Sequence, residues 1–368
     1  MKIAYLGQMA DVSRETSIAK KIHTQCMAWT DAGHTVRYFA LTPTSTVWPG
    51  LSPVATELVA GRSAVIRLIR SSALCRRVHD WSPEVIYFRY AYHSPGLPGL
   101  FREFPTVAEI NSDDTTEYGL TLGRGRQLYH RWTRARVLRP LAGLVPVTHE
   151  LATRFAVSGQ PARVIGNGVD LAAFPLLAAP AAGEPRRIAF MGSPGTPWHG
   201  LDRIGALATL LPDVIFEIIG CTAGDWQAAT GSAGSAPANL VFHGNLPRRD
   251  YEPLLVRATA ALGTFGLYRK QMDEACPLKV REYLAFGLPV IGACHDTDIP
   301  DGADYYLRLP NSADPLGPHL TEITAFLDRW AGRRVPRASI AHLDLSAKEP
   351  RRLEFMAQIA AGFHSPAA

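Results

Sequence analysis

The chain has 368 residues, 47% of them apolar and 19% charged, with a formal net charge of +5. That length exceeds one ordinary core and predicts two domains, and the composition excludes a disordered chain. No window supplies the roughly 18 consecutive apolar residues of a membrane-crossing helix, and so small a basic excess, 32 arginines with six lysines, does not mark a nucleic-acid binder.

The start, MKIAYLGQMAD, reads as a strand and not as a signal peptide, because its apolar run is too short and no small-residue cleavage site follows. A helix is expected over about 14–32, closed by Gly33, and then the strand HTVRYFAL. EVIYFR, TVAEI and LAGLVPV continue as apolar strands separated by helical patterns. Residues 187–192, RIAFMG, repeat the opening KIAYLG, and LDRIGALATLL, DVIFEIIG, NLVFHG, AALGTF and LPVIGA follow in the same alternation. Continuous apolar strands joined by helices predict parallel sheets covered on both faces. The Ala- and Pro-rich stretch 175–186 reads as a linker between two doubly wound Rossmann-like domains, 1–174 and 187–345. A last helix, about 349–364, is expected to pack back on the first domain. In such an arrangement a ligand is expected at the carboxyl ends of the strands, in a cleft that the two domains face. The scattered cysteines Cys26, Cys75, Cys221, Cys276 and Cys294 have no Cys-x-x-Cys spacing, which favours free thiols in a reducing cytoplasm and no zinc site.

The segment DEACPLKVREYLAFGLPVIGA, 273–293, carries the chemistry. Pro277 suits the first position of a helix that Gly287 and Pro289 end. The free N–H groups of that first turn form a site for an anion such as phosphate. Glu274 stands just before the helix and Glu282 inside it. A dinucleotide-dependent oxidoreductase would share the architecture, but neither GQMADVS nor GSPGTPWHG supplies Gly-x-Gly-x-x-Gly.

Taken together, Glu274 and Glu282, PLKVREYLAFGLPVI, IGNGVD (165–170), GSPGTPWHG (192–200) and DAGHTVRYFAL (31–41) resemble the family 4 retaining glycosyltransferases (group 1) of GT-B fold. The resemblance runs over nearly the whole chain. It implies sugar transfer from a nucleoside diphosphate sugar, UDP-sugar before GDP-mannose, to a hydroxyl acceptor in glycan, glycolipid or secondary-metabolite synthesis. The nucleotide sugar is then a substrate, and neither a cofactor nor a metal is expected. It also implies that Glu282 accepts hydrogen bonds from the ribose and that Glu274 meets the donor sugar. Gly192, Ser193, Pro277, Leu278 and Lys279 would meet the diphosphate. Without the surrounding phrase, Glu282 could equally face solvent with Lys279 as its helical partner.

Several positions depart from the family pattern. Where relatives carry Arg and Lys in the loop after the second domain's first strand, this chain has Ser193 and His199. His199 is the expected diphosphate contact, with a pKa that bound anion would raise, and Arg203, Arg269 or Lys270 could replace the arginine. Asn111, flanked by Glu109, stands where relatives place a histidine near the sugar; it can hydrogen-bond but cannot act as a base. Asp296 and Asp298 have metal-ligand spacing but follow the wrong strand. Arg89 and His93 lie on a turn where acceptor contacts are expected, and a structural ion pair is the alternative for Arg89. Arg14, Lys20 and Lys21 could meet phosphate or form a solvated helix start. The stretch 124–139 holds six arginines and no acid, with Leu128, Trp132 and Ala135 along one helical face. Packing of that face on the sheet is favoured over a membrane-surface contact that would bring the enzyme, peripherally, to a lipid-linked acceptor at the inner face. Two other readings stay open, a GT-B sugar-nucleotide epimerase and a non-catalytic relative that binds a nucleotide or glycan.

Overall fold

A computed structural model describes residues 1–364 other than 9–11, 14, 52, 157–158, 182 and 232–233. The chain divides into two compact units, Met1–Asp170 with Leu345–Ala368, and Leu171–Asp344. The first opens with β1 (Lys2–Gln8), α1 (Ser17–Asp31), β2 (Thr35–Thr42), β3 (Thr56–Ala60), α2 (Ala64–Trp81) and β4 (Val85–Arg89). It continues with α3 (Leu97–Glu103), β5 (Thr106–Ile110), α4 (Asp114–Thr121), α5 (Arg124–Leu138), β6 (Gly143–Pro146) and α6 (His149–Phe155). The second unit runs β7 (Arg187–Met191), α7 (Leu201–Leu210), β8 (Ile215–Ile219), α8 (Ala223–Thr230), β9 (Leu240–Gly244) and α9 (Arg248–Arg257). Then come β10 (Ala260–Leu262), α10 (Leu278–Ala285), β11 (Val290–Gly292), β12 (Tyr306–Arg308) and α11 (Leu320–Trp330), before α12 (Leu345–Gly362) returns to the first unit.

Each unit has one six-stranded parallel sheet, ordered β3-β2-β1-β4-β5-β6 and β12-β11-β10-β7-β8-β9. The repeated opening therefore starts the same winding twice, and in each sheet the order reverses beside the first strand. That reversal opens a crevice at the strand ends, between β1 and β4 and between β7 and β10. β3 and β12 were not among the expected strands. They are edge strands, short and half-exposed, so their sequences lack the continuous apolar run of a buried one. Side-chain caps set the helix starts: Thr16, Ser63 and Thr148 each accept from the N–H three residues on.

The core of the first unit stacks Tyr5, Tyr38, Tyr87 and Trp29, with Phe355 and Met356 of α12 closing it. Inside it lies a fully buried carboxylate, Glu109 of β5. Arg89, its register partner on β4, reaches it at 3.3 Å, and Lys21 of α1 at 2.8 Å. Tyr87 donates its hydroxyl proton at 2.9 Å, and Arg352 of α12 stands 4.0 Å away. Arg352 is fully buried too, bonded to Glu349 at 2.6 Å and to the carbonyls of Ile165 and Gly166. Burial alone would raise the Glu109 pKa, but Lys21, Arg89 and Arg352 hold it well below the carboxylate range.

Helix α5 departs from its expected packing. Leu128 and Trp132 do share a face, but the face points outward, 52% and 78% exposed, and the helix buries His130, Thr133, Val137 and Leu138. The inward anchor is polar. His130 and Arg134 both meet Asp114 at 2.8 Å, and Tyr90 donates to it at 2.7 Å. A pattern reading that assigns the apolar side of a helix to the core cannot foresee an inner face held by an ion pair.

Arg352→Met should destabilise the first unit by roughly 3–5 kcal/mol, because it strips a cation from two buried carboxylates. Urea unfolding at neutral pH checks this, and a loss under about 1 kcal/mol would mean that Lys21 and Arg89 suffice. The Glu109 contribution should be present above the ordinary carboxylate pKa and be lost only as pH falls far below it.

Candidate active site

Three segments meet at the carboxyl edge of the second sheet: the loop after β7 (192–200), the loop after β10 (263–270) and the start of α10. The first two are laced together. Phe265 and Gly266 donate their N–H groups to the carbonyls of His199 and Trp198, and Arg269 donates to the Pro197 carbonyl and forks onto Asp202 at 2.6 and 3.0 Å. Gly200 sits at φ +74°, and a Cβ there would come within 2.8 Å of the Phe265 backbone, so only glycine permits the approach.

At this edge Lys279, in the first turn of α10, holds its ammonium 4.3 Å from the Phe190 ring centroid. The nitrogen is shielded from solvent and has no hydrogen-bond partner among the described residues. Burial lowers its pKa to about 7. The first turn of α10 has no side-chain cap; Pro277 is the cap residue itself and not the first helical position. The N–H groups of Leu278 and Lys279 thus open the same site that the ammonium serves.

His199 lies beside these cations. The Ser193 N–H donates to its Nδ1 at 3.3 Å, which leaves the ring proton on Nε2. Burial, then Lys279 and Lys270, push its pKa well below the ordinary histidine value. His199 is therefore a neutral donor in the unliganded protein, since a proton on Nδ1 would also set two donors facing each other. Lys270, buried with its ammonium 4.5 Å from the Trp198 ring centroid, supplies the second cation. Of the other candidates for the missing loop arginine, Arg203 donates to the carbonyls of Ala313 and Asp314, and Arg269 to the Pro197 carbonyl and to Asp202.

The two glutamates differ in setting. Glu282, on α10, is buried and accepts from the Tyr251 hydroxyl of α9 at 3.4 Å. Glu274 lies in extended backbone that bridges to His295, whose ring stands 3.9 Å from its carboxylate. Asp296 and Asp298 turn out to hold Arg281, which is fully buried on α10, contacts Asp296 twice at 2.7 Å and Asp298 at 3.2 Å, and also meets the Cys276 sulfur. Their spacing serves this ion pair, which pins the helix behind its uncapped start. Tyr283 does the same from another side, accepting the Met191 N–H at the end of β7.

In the first unit, Asn111 follows β5, with its amide donating to Glu109 and its oxygen accepting from Lys21, both at 3.0 Å. Lys21 also donates to Asn167 of the IGNGVD motif at 2.6 Å. It is thus a buried link between two loops and not a solvated helix start. Asn111, Glu109 and Arg89 are joined in this one network, and what it offers outward is held rigidly. His93 bonds through Nδ1 to the Tyr129 hydroxyl at 2.8 Å, which fixes the turn after β4 to α5. Arg14 lies outside the described residues.

No family model matches the chain, and no curated protein matches it in sequence. Solved structures do match it in fold. A sucrose-phosphate synthase from Thermosynechococcus elongatus superposes with TM-score 0.71 and 15% identity, over 99% of this chain and 100% of that one. The lipopolysaccharide outer core galactosyltransferase WaaB, in its apo form, gives 0.65 and 12%, over 97% and 99%. HepE from Anabaena, solved with UDP and glucose, gives 0.63 and 14%, over 97% and 99%. The chain has the GT-B fold, with two Rossmann-like units each built on a parallel sheet.

A desolvated ammonium with no hydrogen-bond partner costs stability in the absence of a ligand. Lys279→Met should therefore raise the melting temperature of the unliganded protein by a few degrees, a gain of roughly 1–3 kcal/mol. The folded pKa of Lys279 is depressed, so its cost is full below about pH 7 and fades as pH rises toward the unfolded value. The gain from Lys279→Met should shrink over that same range. Melting curves of both proteins across roughly pH 6–10 measure it, and a pH-independent difference would assign the effect to packing.

Proposed function

We propose that the chain is a glycosyltransferase that moves a sugar from a nucleoside diphosphate sugar to a hydroxyl, with retention at the anomeric carbon. The observation that carries this reading is Lys279: a buried ammonium with no hydrogen-bond partner among the described residues, at an uncapped helix start, beside Lys270 and His199. Burying a cation this way is unfavourable unless an anion completes it, and a diphosphate fits three convergent donors.

In this reading the Leu278 and Lys279 amides, the Lys279 and Lys270 ammoniums and the His199 Nε2–H meet the diphosphate oxygens. Gly192 and Ser193 line the same loop. Glu282, held by Tyr251, accepts from the ribose hydroxyls, and Glu274 from the donor sugar. The acceptor oxygen forms the new bond to the anomeric carbon as the bond to the diphosphate breaks, and the departing diphosphate oxygen takes the acceptor proton. The protein's part is to position and to neutralise charge. The cations are fixed before the reaction and strengthen their hold as charge builds on the leaving group. UDP-sugars come first as donors and GDP-mannose next, with the acceptor met through the first unit at Arg89, His93 and Asn111.

Thermal shift with UDP, GDP, ADP and dTDP tests the nucleotide site, since a ligand at 100 times its Kd stabilises by about 2.7 kcal/mol. Glu282→Ala should weaken nucleotide binding by roughly 1.5–3 kcal/mol, whereas Glu274→Ala should spare it and damage transfer. Equal losses in both would refute that division. Transfer should survive excess EDTA, as lysines and amides meet the diphosphate charge; loss restored by magnesium or manganese would overturn the assignment. An altered sugar nucleotide formed without acceptor would replace transfer by epimerisation.

A further inference from the structure

Two helices of the first unit present arginines and apolar side chains together on their outward faces. On α5 the outward face carries Leu128, Trp132 and Ala135 among Arg124, Arg131 and Arg136. On α2 it carries Val65 and Ile69, 67% and 72% exposed, with Arg76, and Arg62 stands exposed just before the helix. Neither 61–79 nor 124–139 contains an acidic residue. Both helices start at the carboxyl edge of the sheet, where the turn after β4 ties them together. Ser71 of α2 donates to the Pro95 carbonyl, Tyr129 of α5 bonds His93, and Tyr92 lies in the field of both Arg67 and Arg126.

We infer that this surface docks on an anionic lipid bilayer. Exposed tryptophan and leucine with guanidiniums interleaved on one face suit an interface where acyl chains and phosphates lie within a few ångströms of each other. A protein partner would have to bury those cations opposite its own acids, at a desolvation cost that lipid headgroups do not impose. No helix among the described residues is long and apolar enough to cross a membrane, so the contact is a surface one. The edge that the two helices share includes the turn after β4 that carries His93. The inference stands on these two helices and does not depend on the proposed sugar transfer.

Vesicle co-sedimentation of the full chain tests it. Binding to phosphatidylcholine vesicles containing phosphatidylglycerol is expected, with little binding to phosphatidylcholine alone and a steep loss at high salt. Each arginine neutralised, as in Arg124→Gln or Arg131→Gln, should weaken binding roughly fivefold. Leu128→Ser with Trp132→Ser should weaken it roughly tenfold or more. Melting temperature and nucleotide-induced thermal shift should stay unchanged in these variants, because the replaced side chains face outward. Equal binding to neutral and anionic vesicles, or none to either, would overturn the inference. So would self-association in sedimentation velocity that Trp132→Ser abolishes, since the face would then belong to a second copy of the chain.

Discussion

A carboxylate cannot leave water alone, and the first unit is organised around that constraint. Glu109 draws a cation from each layer around it: Arg89 from the neighbouring strand, Lys21 from the first helix and Arg352 from the last. The same cations hold Asn111, Asn167 and the carbonyls of Ile165 and Gly166, so one buried charge fixes the ends of several loops at once. Replacing such a cluster with apolar side chains could cost no stability, but it would release the strand-end loops from one another. The loops at that strand edge are therefore tied together through a carboxylate that is itself fully buried.

The second unit handles charge in the opposite way. Arg281 is satisfied to excess by Asp296 and Asp298, whereas Lys279, two residues earlier on the same helix, has no hydrogen-bond partner among the described residues. One helix thus has a saturated flank that anchors it and an open end that waits. In the proposed reading this contrast has a reason: the fold tolerates an unfavourable group where a ligand would complete it. Arginine suits the anchor, with its fixed fork, and lysine the waiting position, as a compact charge whose pKa responds to its surroundings.

Much of this was legible in the residues. The two openings KIAYLG and RIAFMG and the apolar strands pointed to two doubly wound sheets, because buried parallel strands must be continuously apolar. Edge strands β3 and β12 obey no such rule and went unread. Glu274, Glu282 and the start of α10 could be singled out because a helix that opens at proline and ends at glycine has a local signature. The partners of those residues, Tyr251 and Lys270 among them, come from distant segments and leave none. A signal was nevertheless present in the composition. In a chain with 32 arginines against six lysines, Lys21, Lys270 and Lys348 are buried and the Lys279 ammonium is shielded from solvent, and scarcity itself pointed to them. The outward turn of Leu128 and Trp132 was misread because Asp114, in another helix, had already claimed the inner face through His130 and Arg134.

The return of α12 to the first unit also has a temporal side. Between residues 170 and 345 the ribosome makes the whole second unit, whose own sheet and ion pairs need nothing from the helix made after it. Throughout that interval Glu109 has Lys21 and Arg89 but lacks Arg352, and the aromatic core lacks Phe355 and Met356. The first half of the chain to be synthesised is thus the last to be closed. A nascent chain stalled before α12 would carry a finished second unit and an unfinished first one, with the first unit's core open to whatever holds unfolded protein in the cell.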